Sequence, residues 1–199
     1  DAVQFSKRGW THRDKIKASN GEPWITLNLQ KHSHTTPINQ IVLSKNVNWQ
    51  NEHLKVLKTN YRKAPYFDEI FPLISGLYSQ TPVLMADFNL RAIDLLMELF
   101  DVVVPYVFAS KLKAAGKSNE LLISQLHEVG ASHYLSGIGA RDYMQPEKFA
   151  RAGIEVIWQE FKHPVYPQQF GAFVPYLSAL DVLFNCGVTA SRKLLRESE

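Results

Sequence analysis

Three short stretches concentrate the residue types that bind anions or move protons. The first is Gln4-Phe5-Ser6-Lys7-Arg8-Gly9-Trp10-Thr11-His12-Arg13-Asp14-Lys15, where cations are interleaved with aromatics. Lys7, Arg8 and Arg13 suit phosphate, and Trp10 offers a face on which a base or sugar ring can stack. A solvated surface hairpin with snorkelling side chains is the plainer reading of the same pattern. The second stretch is Ser136-Gly137-Ile138-Gly139-Ala140-Arg141. Its glycines let backbone N–H groups approach an anion, and Arg141 adds a two-pronged charged contact. A tight turn explains the glycines equally well. The third is Glu160 with His163, a carboxylate and an imidazole at the end of an apolar run.

These stretches imply a scaffold. Val102–Phe108 is β-rich, although Pro105 argues for an edge or a strand end. Ser118 is a plausible cap for a helix carrying Leu121, Leu122, Leu126 and Val129, closed by Gly130. Ser132–Ser136 reads as a strand, Pro146–Ala152 as a short helix stopped by Gly153, and Ile154–Gln159 as another strand. Strand, helix, strand, helix, strand predicts a Rossmann-like parallel sheet with right-handed crossovers in the C-terminal half. In such sheets ligands bind beyond the carboxyl ends of the strands, where Ser110-Lys111, the Ser136 to Arg141 loop, and Glu160 with His163 fall. The N-terminal half is α+β: strands at Pro23–Gln30 and Ile38–Leu43, then helices over Trp49–Lys63 and Tyr66–Ser79. A further helix carries the stripe Leu90, Ile93, Leu96, Met97 and Phe100. Together these give an α/β chain read as one domain over residues 1–199.

Composition narrows the function classes. The 199 residues carry 22 Lys and Arg against 19 Asp and Glu, a net charge of +3. That suits an anionic small molecule and is too weak to argue for nucleic acid. One cysteine, Cys186, excludes an internal disulfide framework and fits the cytoplasm. The longest apolar run falls far short of the roughly 20 residues of a membrane span. Nothing resembles a signal peptide. His32 and His34 share a strand face but lack a third ligand at a convincing spacing, so no metal site is expected. No Gly-x-Ser-x-Gly elbow, P-loop or dinucleotide fingerprint is present, and no cofactor is indicated. The chain opens on Asp1 in what reads as the middle of a strand, which suggests a fragment.

The combination of Val3-Gln4-Phe5-x-Lys7-Arg8-Gly9-Trp10-x-x-Arg13 with Tyr134-Leu135-Ser136-Gly137-x-Gly139-x-x-x-Tyr143 resembles the WbqC-like family of bacterial proteins. So do Tyr166-x-Gln168 and Phe173-x-Pro175-x-Leu177-Ser178-x-x-Asp181-x-Leu183-x-Asn185-x-Gly187. Trp49, His53, Tyr61, Pro65, Tyr66 and Phe67 fit its central segment. The resemblance runs nearly end to end, and it implies a further strand and loop ahead of the point where this sequence begins. It implies a role in the assembly of surface polysaccharides such as O-antigen, with transfer of glycine or another acyl group onto a sugar. On that implication the expected protein is a cytoplasmic transferase whose partners are a nucleotide-linked amino sugar and an acyl donor. His163 or Asp181 would be the base. Gln4, Lys7, Arg8, Trp10, Arg13, Ser136, Gly137, Gly139, Arg141, Tyr166 and Gln168 would bind substrate. Lys7, Arg13 and Arg141 are expected around one cleft. Asp181 also has a structural explanation, since Ser178-Ala179-Leu180-Asp181 has the spacing of a capping box. Two other classes stay open: nucleotidyl transfer or amide ligation, and a non-catalytic glycan or nucleotide-sugar binding module that stacks on Trp10, Trp24 and Trp49.

Overall fold

Trp49, His53, Leu57 and Tyr61 recur every fourth residue and are all buried, which makes their helix the centre of the first half. The computed structural model describes residues 1–7, 9–80 and 82–197; Arg8, one of the expected substrate-binding residues, lies outside them. In chain order the regular elements are β1 (Arg13–Lys15), β2 (Trp24–Thr26), α1 (Trp49–Tyr61), α2 (Phe67–Ser79) and α3 (Met85–Phe100). There follow α4 (Ser118–Glu128), β3 (His133–Gly137), α5 (Pro146–Arg151), β4 (Glu155–Gln159) and α6 (Ala179–Arg196). The backbone divides into two compact units. One comprises Ala2–Val104 with the C-terminal segment from His163; the other is Pro105–Lys162.

In the larger unit β1 and β2 pair antiparallel, Asp14 opposite Ile25. The expected strands at 23–30 and 38–43 are shorter than their alternation implies. Only Trp24–Thr26 is regular, residues 38–40 form a 3₁₀ turn, and isolated bridges join Leu29 to Leu43 and Val42 to Leu84. Phe5, Leu27, Ile41, Leu43, Met85 and Phe88 pack around Trp49. A second cluster gathers Ile16, Leu57, Ile70, Ile74, Leu99 and Leu183 around the stacked rings of Tyr61 and Phe184. On α3 the buried positions are Met85, Phe88 and Leu99, whereas Ile93 of the expected stripe is 47% exposed. Trp49 and Tyr78 meet Phe88 near the start of the helix, while Leu96 and Phe100 of the expected stripe pack with Leu99 against the second cluster. At Gly187, φ of 72° kinks α6, and a Cβ there would lie 2.6 Å from the Tyr66 ring, so both conformation and close approach require glycine.

In the smaller unit β3 and β4 are parallel, with Ser136 opposite Trp158, and α5 lies between them in sequence. Phe149, Ile154, Met144 and Ala140 form its core, with Leu122, Leu126, Tyr134 and Val156 packed around. Gly130 and Gly153 end the helices with positive φ, as their positions imply. The cap position before α4 is held by Lys117, and Ser118 follows it with a positive φ of 52°. Residues 102–108 form no strand, so the parallel sheet has two strands, not the three expected. Pro105 lacks the N–H a ladder needs, and Val103 is 93% exposed, with no neighbouring strand to cover it.

Candidate functional site

Two groups of polar residues lie inside the larger unit, one lining a cavity and one closed around a buried carboxylate. The cavity, of about 430 Å³, lies between the β1–β2 hairpin and the helices α2 and α3. The hairpin wall brings Thr11, His12, Arg13 and Asp14, and Ser178 joins them from the start of α6. Ile74, Leu77, Phe88, Ala92, Leu95 and Leu96 make the helix wall. Trp10, 61% exposed, marks the mouth. Its ring lies 4.9 Å from that of Trp24, and the Arg13 guanidinium sits 4.3 Å above the Trp24 ring centroid. The short strand sets this arrangement: Arg13 and Lys15 share one face with Trp24, while His12, Asp14 and Ile16 share the other.

Asp14 is the carboxylate of this cavity. Burial raises its pKa above the ordinary aspartate value, against the opposing pull of the Lys15 backbone N–H at 2.8 Å and the Ser178 hydroxyl. His12 is buried; burial, Arg13 and His32 all lower its pKa, and its Nδ1 has no hydrogen-bond partner among the described residues. Burial also lowers the His53 pKa, against the pull of the Thr26 carbonyl 2.9 Å from Nε2; Nδ1 lies 3.3 Å from the Tyr78 hydroxyl. Burial pushes the Tyr78 phenol up to about 12, so it remains a neutral donor. Asn89 donates to the Thr11 carbonyl at 2.8 Å and fixes the hairpin to α3.

The closed group is centred on Asp181, which is fully buried. The Tyr61 hydroxyl donates to its Oδ1 at 2.7 Å and the Tyr166 hydroxyl to its Oδ2 at 3.0 Å. Tyr61 in turn accepts the Lys17 backbone N–H. The buried Lys17 ammonium donates to Gln168 Oε1 at 3.0 Å and to the Ala172 carbonyl. Gln168 completes a clasp on Val174, accepting its N–H at 2.8 Å and donating to its carbonyl at 2.9 Å. Burial raises the Asp181 pKa, while Tyr61, Tyr166, Lys17 and Gln168 pull it back. The capping-box expectation for Asp181 is corrected here. The Ser178 backbone N–H that such a carboxylate would accept donates instead to the Lys15 carbonyl at 2.8 Å, and the two tyrosines occupy both carboxylate oxygens. Ser178 itself caps the helix through Leu180 N at 3.4 Å.

Within the larger unit the expected site residues fall into separate groups. Tyr166, Gln168 and Asp181 meet in the closed clasp, and His163 stacks on Tyr166 and packs against Phe173 and Tyr176. His163 Nδ1 lies 2.9 Å from the carbonyl of Pro164. Trp10 and Arg13 line the cavity; Lys7 is exposed, and the Gln4 side chain donates to the His34 carbonyl at 2.6 Å. Ser136, Gly137, Gly139 and Arg141 belong to the smaller unit, where Ser136 is buried and the Arg141 guanidinium lies 5.2 Å from the Trp158 ring centroid. An added Cβ at Gly137 or Gly139 would meet nothing within 4 Å, which leaves the backbone there open to a close partner. Asp14, His12 and Lys17 were not singled out from the sequence. The alternation of His12, Asp14 and Ile16 on one strand face was the available signal for the first two.

No helix among the described residues is long and apolar enough to cross a membrane. No solved structure matches the chain. The uncharacterized protein Rv1507c of Mycobacterium tuberculosis is 28% identical over 192 residues, covering 96% of this chain and 83% of that protein. The model of the WbqC-like protein family matches residues 1–193, and the chain belongs to that family.

Proposed function

We propose that the protein is a transferase that joins an acyl group to a nucleotide-linked amino sugar for surface-polysaccharide assembly, with the β1–β2 cavity as its reaction site. The observation that carries this reading is the meeting of Asp14, Arg13 and Trp10 at a largely apolar cavity, with the Trp24 ring packed behind Trp10 and Arg13. Concave apolar sites with a few convergent polar groups and a perturbed carboxylate are where small-molecule chemistry concentrates. The mouth suits a nucleotide: an exposed indole for the base or sugar face and a guanidinium for phosphate.

In the reaction the sugar amine attacks the carbonyl carbon of an activated acyl donor. The nitrogen–carbon bond forms, and the donor's leaving group departs with its bonding electrons. The proton shed by nitrogen passes to the Asp14 carboxylate, which burial makes more basic than an ordinary aspartate, and returns to the leaving group. Asp181 holds the segment from Tyr166 to Ser178 against β1 instead of touching substrate, and His163 packs with that segment. The decisive assay incubates the full chain with nucleotide-linked amino sugars and activated acyl donors and follows N-acylated product by mass spectrometry. Saturable binding of the nucleotide sugar with no product from any donor would favour the binding-module reading, to which the exposed Trp10 lends itself.

A further inference from the structure

The helix wall of the cavity has a consequence for the donor. Ile74, Leu77, Phe88, Ala92, Leu95 and Leu96 face a space of about 430 Å³. The polar side chain that α3 contributes there, Asn89, is taken up by the Thr11 carbonyl. Tyr78, at the same wall, lies within hydrogen-bond distance of His53. A glycyl or acetyl group would leave nearly all of that wall against water. Cavities lined by leucine, isoleucine and phenylalanine do not hydrate well, and one of about 150 Å³ already takes a six-carbon ring. The hairpin wall has the opposite chemistry, with Thr11, His12, Arg13 and the Asp14 carboxylate. An occupant that satisfies both walls is amphipathic: an aliphatic chain against α2 and α3, with a polar acyl head beside β1.

We infer that the cavity takes an aliphatic acyl chain on the order of ten carbons, in preference to glycyl or acetyl. The inference rests on the cavity being the acyl site of the proposed transferase, but the binding it describes can be measured without turnover. The same acyl chemistry can arrive as a free alkanoate or as a thioester on a pantetheine carrier, and the test separates them.

The test is a calorimetric titration of the full chain with alkanoates from acetate to hexadecanoate, and in parallel with acyl-coenzyme A thioesters of the same lengths. Affinity is expected to rise about fourfold per methylene, then level off near ten carbons. A gradient among the acids alone identifies the free acid as the ligand, and a gradient among the thioesters identifies the carrier-bound form; either supports the chain-binding site. Ala92→Phe, which fills the wall, should flatten the gradient, and Ala92→Ser, which keeps the volume, should preserve most of it. Equal affinity from two to twelve carbons in both series overturns the inference, as does a gradient that survives Ala92→Phe unchanged. A full gradient with no product from any amino sugar sinks the transferase reading and leaves this site standing. Product from glycyl or acetyl donors without a gradient does the reverse.

Discussion

Asp14 and Asp181 are both raised in pKa by burial, and both lie in the larger unit, yet their surroundings differ in kind. Asp181 has a tyrosine hydroxyl on each oxygen, a lysine ammonium nearby and no exposed surface. Asp14 has a backbone N–H, the Ser178 hydroxyl and a cavity in front of it. A perturbed pKa alone therefore does not separate a structural carboxylate from a reactive one. What separates them is whether the protein has filled the acceptor positions and whether a second molecule can reach the group.

The sharpest way to break the contrast is to empty the clasp. Asp181→Ala leaves the Tyr61 and Tyr166 hydroxyls without their acceptor and the buried Lys17 without its nearby counter-charge. A loss of about 3–5 kcal/mol in unfolding free energy is expected, read by urea denaturation. Asp181→Asn should cost less, because the amide oxygen still accepts one hydroxyl. Its pH dependence carries a sign. The native carboxyl binds its proton more tightly than the unfolded one, so its stabilising contribution is full below the unfolded pKa and fades as pH rises through the folded value. The gap between wild type and Asp181→Asn should therefore narrow with rising pH. A gap that widens would mean that the tyrosines and Lys17 outweigh burial.

The cavity should respond in rate instead of stability. Asp14→Asn is expected to lower N-acyl transfer on the order of 10²–10⁴-fold while the urea midpoint scarcely moves. If Asp181→Asn loses the same rate with its fold intact, the two carboxylates have been assigned the wrong way round. Between these sits Tyr166→Phe, which removes one donor from Asp181 and should cost about 1–3 kcal/mol without a specific effect on rate.

The parallel pairing of β3 and β4 was legible because alternating strands with a short helix between them leave few topologies. The helix pattern of α1 was equally clear, though it took the structure to show Trp49 and His53 on its buried face. Residues 102–108 misled for a physical reason: β-propensity describes a side chain fitting a covered sheet face, and no partner strand lies beside Val103. Asp181 misled in the other direction. Its spacing from Ser178 satisfies a local rule, but the deciding donors are Tyr61 and Tyr166, one of them 120 residues away. Lys17 pairs with Gln168 across 151 residues and carries no local signature. Spacing reads what neighbours in sequence can do: the cavity's polar run from Thr11 to Asp14 lay within its reach, whereas the clasp is assembled from residues that are not neighbours.

Ser178 touches both regions and so carries the smallest but most discriminating change. Its hydroxyl caps α6 through Leu180 N at a long 3.4 Å, and it also bonds to Asp14. Ser178→Ala should therefore cost only about 0.5–1 kcal/mol, the low end of what a lost cap costs. The clasp is untouched, because the Ser178 backbone N–H keeps its bond to the Lys15 carbonyl. The effect on Asp14 has a definite direction. The hydroxyl stabilises the ionised carboxylate, so removing it raises the Asp14 pKa further. If ionised Asp14 accepts the proton from the amine, the acid limb of the pH–rate profile must move to higher pH in Ser178→Ala, while the plateau rate above it stays within a few-fold. Binding of a nucleotide sugar at the Trp10–Trp24 mouth should be unaffected. An acid limb that stays in place would show that the titrating group of the reaction is not Asp14, whatever the size of the stability change.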